Sequence, residues 1–308
     1  MADNREISEQ PFHAGYVAII GEPNVGKSTL LNTLIGEKIS IVTPKPQTTR
    51  HRVLGILSEH HAQIIFLDTP GFLKPQYKLH EAMMKSVRSA IGDADVLFFL
   101  VEVSKIKPEQ IADQITALRF FVNDAKPVFL LINKIDLCTK QDVLTAIAVC
   151  SSLYPFKEIF PISALKHNGT DELIENVVRF LPEHPPFYPN DMISEHPERF
   201  FVSEIIREKI FEQYREEIPY STTVDIISFQ EQPGRKDVIN AEIYVERNSQ
   251  KGILIGKQGK ALKDIGQHAR KDIEAFLGRP VFLELHVKVR EQWRQKESWL
   301  KKLGYTSP

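Results

Sequence analysis

The stretch Tyr16-Val17-Ala18-Ile19-Ile20-Gly21-Glu22-Pro23-Asn24-Val25-Gly26-Lys27-Ser28-Thr29-Leu30-Leu31 decides the fold. Residues 21–28 fit GxxxxGK[ST], with an apolar strand candidate directly before and a helical run, 29–35, directly after. Strand, glycine loop and helix in that order form a phosphate-binding loop. The glycines let successive N–H groups turn inward as an anion nest, the helix N-terminus adds the positive end of its dipole, Lys27 brings a point charge and Ser28 a hydroxyl for Mg²⁺. Gly21, Asn24, Val25, Gly26, Lys27, Ser28 and Thr29 are therefore expected around the phosphates of a nucleoside triphosphate.

Further stations predict a guanine-nucleotide switch. Asp68-Thr69-Pro70-Gly71 ends the apolar run 64–67, so Asp68 is placed to hold the Mg²⁺ shell and the Gly71 N–H to sense a γ-phosphate. Asn133-Lys134-Ile135-Asp136 follows the strand candidate 128–132. The Asp136 carboxylate can accept from N1–H and the exocyclic amine of guanine, and adenine offers neither donor. A site built on such buried hydrogen bonds rejects a base lacking the donors by roughly 10⁴ to 10⁵, so GTP is expected over ATP. Asn133 would tie this loop to the phosphate loop, and the Lys134 stem would lie along the base. Ser163, Ala164 and Leu165 follow the strand candidate 159–162, with the Ala164 N–H offered to the guanine O6.

Between the first helix and the strand candidate 52–57 lies Thr43-Pro44-Lys45-Pro46-Gln47-Thr48-Thr49-Arg50, a loop suited to closing only around γ-phosphate and Mg²⁺. Thr49 is the expected Mg²⁺ ligand with Ser28 and Asp68, and Thr48 is the reserve. Lys27, Thr49, Asp68 and Gly71 are the expected catalytic group. The position after Gly71, where Ras-like proteins carry a water-orienting Gln, is Phe72, which cannot polarise water; hydrolysis is expected to be slow.

Composition bounds the rest. The chain has 308 residues, 42% hydrophobic and 26% charged, enough for two cored domains of ordinary soluble character. Cys138 and Cys150 are the only cysteines, which supports neither a disulfide framework nor a zinc site and suits a reducing cytosol. The start, residues 1–6, is polar and acidic, and the longest apolar run, 96–101, is too short to span a bilayer. Neither signal peptide nor membrane span is expected. The near-neutral total of −1 hides an asymmetry: residues 247–308 carry +8 and the remainder −9. A polyanion would meet the C-terminal end.

From 12 to 181, strand and helix candidates alternate, ending in a helix from Thr170, read as its N-cap, to Phe180. Alternation predicts a sheet covered on both faces. The connection 58–62 is so short that the flanking strands must pair antiparallel, making the sheet mixed. Proline-dense Leu181–Pro189 opens a semi-rigid linker over 182–197. Beyond it, from 198 to 303, the sequence predicts a helix 198–217, strands 223–230 and 238–246 around the turn 232–235, a helix 259–276, a strand 281–290 and a basic helix 292–303.

Inside this second domain, Ile255-Gly256-Lys257-Gln258-Gly259-Lys260, with Lys263 beyond, places GxxG between two helical segments. Such a loop lets a nucleic-acid backbone approach while single-stranded bases lie over an apolar groove. The charge of Lys257, Lys260 and Lys263 and the αββααβ order match the KH module of bacterial type. Together with the nucleotide stations, the chain resembles the bacterial Era GTPases over nearly its full length. That resemblance implies a Ras-like P-loop GTPase domain, α/β with a mixed sheet, followed by a smaller α+β type II KH domain. It implies partners as well: GTP and GDP, Mg²⁺, and the 3′ end of small-subunit ribosomal RNA during small ribosomal subunit assembly, with peripheral inner-membrane association. It suggests a K⁺ ion coordinated by Asn24, and a monomer is expected. Two competing readings are a tRNA-modification GTPase, disfavoured by the lack of Cys in the second domain, and a membrane-surface GTPase using Arg294, Lys296, Lys301 and Lys302 with Trp293 and Trp299.

Overall fold

A computed structural model describes residues 11–103, 108–122 and 126–306. The acidic start at 1–6 lies outside the described residues. The first half forms a six-stranded sheet in the order β2-β3-β1-β4-β5-β6. Its strands are β1 (His13–Gly21), β2 (Val53–Ser58), β3 (Ala62–Asp68), β4 (Val96–Glu102), β5 (Val128–Asn133) and β6 (Glu158–Pro161). All neighbours pair parallel except β2 and β3, which run antiparallel from Ser58↔Gln63 to Val53↔Asp68. The mixed sheet follows from the short 59–61 connection, which leaves no room for a crossover.

Successive residues along the central strands alternate between two cores. Ala18, Ile20, Leu97, Phe99 and Val101 face α2 (Lys78–Asp93), α3 (Pro108–Phe121) and α4 (Lys140–Leu153). Val17, Ile19, Val96, Phe98 and Leu100 face α1 (Lys27–Ile35) and α5 (Thr170–Val178). Burial on both faces is why these strands read as unbroken apolar runs. The C-terminal ends of β1, β3, β4 and β5 deliver Gly21, Asp68, Glu102 and Asn133 to one edge, where ligands of open α/β sheets sit. The N-cap of α5 is Gly169 at φ 75, and Thr170 is already helical; the glycine supplies the left-handed turn that the expected Thr cap could not.

Residues 181–194 run along the sheet rather than away from it. The Ala14 N–H donates to Pro182 O (3.1 Å), and the wholly buried Gln63 accepts from the Phe187 and Tyr188 N–H groups while donating to Tyr188 O. The Ile56 N–H donates to Ile193 O (2.8 Å).

The second half packs α6 (Glu198–Gln213), α8 (Asn248–Ile255) and α9 (Lys260–Leu277) on a three-stranded sheet of β7 (Thr223–Gln230), β8 (Asp237–Val245) and β9 (Val281–Val289). β8 pairs antiparallel with β7 and parallel with β9. The helix expected to run to Glu217 stops at Gln213, where Tyr214 turns extended, and one turn, α7 (Ile218–Ser221), follows. The Lys45 ammonium, from the first half, donates to Phe211 O and Tyr214 O at this helix end, satisfying carbonyls a longer helix would have bonded internally.

The basic tail is not one helix. A 3₁₀ turn at Trp293–Gln295 and α10 (Glu297–Lys302) are separated by Lys296 at φ −98, ψ 114. The break lets Trp293, Leu300 and Tyr305 all bury against the first half's core, and the Trp293 indole N–H donates to Ser221 O at 2.9 Å. Trp293→Ala is expected to cost about 3–5 kcal/mol, as truncation of a buried Trp does, and Trp299→Ala clearly less, because Trp299 only packs against the edge of that core. Urea unfolding followed by circular dichroism checks this; equal costs for the two would place Trp293 outside the core.

Candidate functional site

The phosphate loop wraps the N-terminus of α1. Gly26 takes φ 104, and a Cβ there would lie 2.3 Å from Asn133 Nδ2, so only glycine allows the loop to meet the β5 end. Asn133 Nδ2 donates to Val25 O (2.8 Å), the expected tie between base loop and phosphate loop. A cleft of about 490 Å³ opens here, lined among others by Asn24, Lys27, Ser28, Thr29, Gly71 and Asp136.

At its floor three of the expected groups meet. The Ser28 hydroxyl donates to Asp68 Oδ2 (2.6 Å) and lies 2.8 Å from Thr49 Oγ1. The Ser40 hydroxyl, not anticipated from sequence, donates to the same Asp68 oxygen at 2.9 Å. Asp68 is wholly buried and its other oxygen, Oδ1, has no hydrogen-bond partner. Burial raises its carboxyl above the usual range, against the Ser28 hydrogen bond and the Lys27 charge. A buried carboxylate with one bare oxygen beside two hydroxyls suits a small hard cation. Thr48 points elsewhere: its hydroxyl bonds Thr43 Oγ1 (2.6 Å) and Lys45 O (2.7 Å). Burial pushes the Lys27 ammonium down to about 8, against the charges of Asp68 and Glu22, and it donates to Gly21 O and Glu22 O.

At the other end of the cleft the Asp136 carboxylate accepts from the Ser163 hydroxyl (2.6 Å). The Ala164 N–H, expected to face a guanine O6, donates to Asn133 Oδ1 (3.0 Å). Leu137 and Leu165 line this end, yet both are largely exposed. Lys134 lines the cleft, and its ammonium donates to Asn24 O and Glu102 Oε2, both at 2.8 Å. Asn24 donates through its side chain to Pro44 O (3.0 Å). Phe72 turns into the core, stacked on Phe121 with ring centroids 5.0 Å apart, so truncating it would open a core cavity.

The loop carrying Thr48 and Thr49 is gripped by the second half. Arg50, 2% exposed, donates to Thr222 O (2.7 Å), Pro219 O (2.9 Å) and Tyr220 O (3.1 Å). Arg207 of α6 donates to Thr48 O and pairs with Glu204. Glu208 accepts from the Val42 N–H (3.0 Å) and Lys38 (2.6 Å). The sequence gives no sign of these partners, which lie more than 150 residues apart.

In the second half, Gly256 joins α8 to α9 at φ 69, ψ −178, a region essentially open only to glycine, and a Cβ would meet that of Ala261 at 2.7 Å. Lys257, Gln258, Lys260 and Lys263 are exposed around it, with Ile255 and Gly259 half-buried. Beside them runs a groove of about 440 Å³ between α9 and β9, with Leu262, Lys263, Arg270 and the half-exposed Phe282 on its walls.

The family model described as 50S ribosome-binding GTPase matches residues 16–134, and that of the KH domain matches 217–294. The GTPase Era of Geobacter metallireducens is 49% identical over 301 residues, 97% of this chain and 100% of that protein. The chloroplastic GTPase ERA1 of Zea mays is 48% identical over 95% of this chain and 70% of its own length. Among solved structures, an Aquifex aeolicus Era variant bound to GDP·AlF4⁻ superposes with a TM-score of 0.91 at 42% identity, covering 96% of this chain and all of that one. Era in complex with MgGDPNP and nucleotides 1506–1542 of 16S ribosomal RNA matches equally, at TM-score 0.91 and 42% identity. With a full-length relative at nearly half identity and both its halves matched in order, this chain belongs to the Era GTPases.

Proposed function

We propose that this chain is a GTP-hydrolysing switch that binds single-stranded ribosomal RNA at the 3′ end of the small-subunit RNA and acts in small ribosomal subunit assembly. Residues 12–181 form its GTPase domain and 198–303 its KH domain, joined by 182–197. The observation that carries the switch is the loop 38–50: Thr49 meets Ser28, which donates to Asp68, at one end, while Arg50 and the Thr48 carbonyl are held by the second domain. Loading of the cleft and the posture of the KH domain are then coupled through one segment, and such coupling is reciprocal.

Ser28, Thr49 and Asp68 would hold Mg²⁺, using the bare Asp68 oxygen. The ion supplies positive charge for the phosphate oxygens. Lys27 would exchange its loop carbonyls for phosphate oxygens, the Gly71 N–H would meet the γ-phosphate and Asp136 would read the guanine edge. With Phe72 buried, no side chain at that position orients the attacking water, so preorganised charge at Lys27 and the closed Thr49 loop must carry catalysis. Asn24, at the rim of the cleft, would lend its side-chain oxygen to a K⁺ ion near the phosphates.

RNA would lie in the groove between α9 and β9, its backbone over Gly256–Gly259 and the flanking lysines. The tRNA-modification reading finds no chemistry in the second domain to support it. The membrane reading loses one of its two apolar anchors, because Trp293 is buried; no helix among the described residues is long and apolar enough to cross a membrane. The unpaired Cys138 and Cys150 suit a reducing cytoplasm.

Asp136→Asn is expected to shift preference from GTP to xanthosine triphosphate, whose carbonyl can accept from the new amide; a competition titration in which the variant keeps wild-type GTP affinity would refute the base assignment. Replacing Lys257 and Gln258 with Asp should weaken single-stranded RNA binding by about tenfold or more, through repulsion of the backbone, and leave GTP turnover near wild type. Filter binding and a phosphate-release assay measure the pair, and unchanged RNA affinity would remove the GxxG loop from the interface. Single-turnover hydrolysis should run faster in potassium than in sodium, and Asn24→Ala should abolish the difference; equal wild-type rates in the two salts would dismiss the cation.

A further inference from the structure

Glu102 ends β4 directly opposite Asn133 in the β4–β5 ladder. Its side chain is 8% exposed and does not line the nucleotide cleft. Buried carboxylates are costly unless paired, and this one faces the Lys134 ammonium at 2.8 Å. The same ammonium donates to Asn24 O at 2.8 Å. Lys134 and Asn24 both adopt left-handed backbone, each at φ 66, which non-glycine residues hold only when their surroundings over-determine it. One ammonium thus bridges the strained residue of the base loop to the strained residue of the phosphate loop, and one carboxylate beneath the cleft supplies its counter-charge.

We propose that Glu102 is a positioning residue for nucleotide binding: its carboxylate holds Lys134 against the Asn24 carbonyl and fixes the spacing of the base loop and the phosphate loop. The proposal rests on the reading of the cleft as a guanine-nucleotide site. Asp136 reads the base and Lys27 the phosphates; Glu102 touches neither ligand end. Its loss lets the two loops drift apart, so bound nucleotide leaves faster while discrimination among bases is kept. A Gln in its place retains an acceptor oxygen and the shape, but gives up the charge that roughly doubles the strength of such a bond.

The test uses the full chain and methylanthraniloyl-GDP. Glu102→Gln is expected to raise the dissociation rate about tenfold, the scale of removing the charge from one charge-assisted hydrogen bond. The ratio of GTP to ITP affinity, which reports the exocyclic amine, should stay at the wild-type value, and single-turnover hydrolysis at saturating GTP should stay within about twofold, since the change lies in binding. In a Lys134→Met background the same Glu102→Gln change should have no effect on dissociation, because it acts through the ammonium. Unchanged dissociation in Glu102→Gln, or an equal rise with and without Lys134, would overturn the proposal. So would collapse of the nucleotide-free melting curve of Glu102→Gln together with that of Glu102→Asp, which would mean that the carboxylate serves the fold. Failure of the wild-type chain to bind methylanthraniloyl-GDP at all would overturn the nucleotide-site reading and this proposal with it, a result distinct from the others.

Discussion

A wholly buried carboxylate organises this molecule. Asp68 is completely buried at the end of β3, and removing its charge from water is paid for only in part: two hydroxyls donate to one oxygen, and the other has no partner. Burial therefore holds its carboxyl above the ordinary range, and a cation beside Oδ1 would favour the charged form. The loop between α1 and β2 folds down because Ser40 and Thr49 have somewhere polar to go. Remove the charge and that loop loses its reason to close.

The same loop leaves the cleft through Arg50, and here the chain buries a second charge. Its guanidinium ends in three backbone carbonyls of the other domain and lies over the Phe211 ring, 5.6 Å from the centroid. Arg207, equally buried, answers from α6 with the Thr48 carbonyl and Glu204. Breaking either arrangement would strand a charge in low dielectric, a larger loss than the net gain of making it. The domains are thus joined by contacts that favour one posture over all others, and those contacts fall on the residues beside Thr49. Because α6 packs on α9, whose first turn leaves the GxxG loop, only α6 separates the segment proposed to sense the nucleotide from the groove proposed for RNA.

The parts of this design legible in the sequence are those that local geometry forces. Gly256 and the strand ends around Asp68 and Asn133 are constrained within a few residues of themselves, by positive φ, close approach or strand periodicity, and Gly26 by its positive φ; their spacing carried the fold and the residues that line the cleft. What stayed hidden depends on partners brought close only by folding. Nothing around Thr48 and Thr49 separates them; the structure does, because one hydroxyl meets Ser28 and the other Thr43. Gln63 reads as one polar residue in a buried strand until its amide is found holding Tyr188 and Phe187. The tail reads as a short basic helix, while Trp293, buried against the first half's core, is the residue that decides its path.

Charge illustrates the same limit from the other side. The +8 of residues 247–308 is a sum, and a sum has no position. In the folded chain Arg279 is taken up by Glu198 and Asp237, Lys288 by Glu242 and Arg294 by Glu246. These acids belong to the part of the sequence that counts as negative, so folding cancels much of the asymmetry internally. Lys257, Lys260 and Lys263 have no ion-pair partner among the described residues and stand exposed around the GxxG turn. A phosphate backbone is attracted by unpaired, solvent-facing cations far more than by net charge, since only those release counterions when it binds. The basic segment 247–308 thus points to nucleic acid through three lysines at the GxxG turn and the first turns of α9, where the backbone can come closest, rather than through its total.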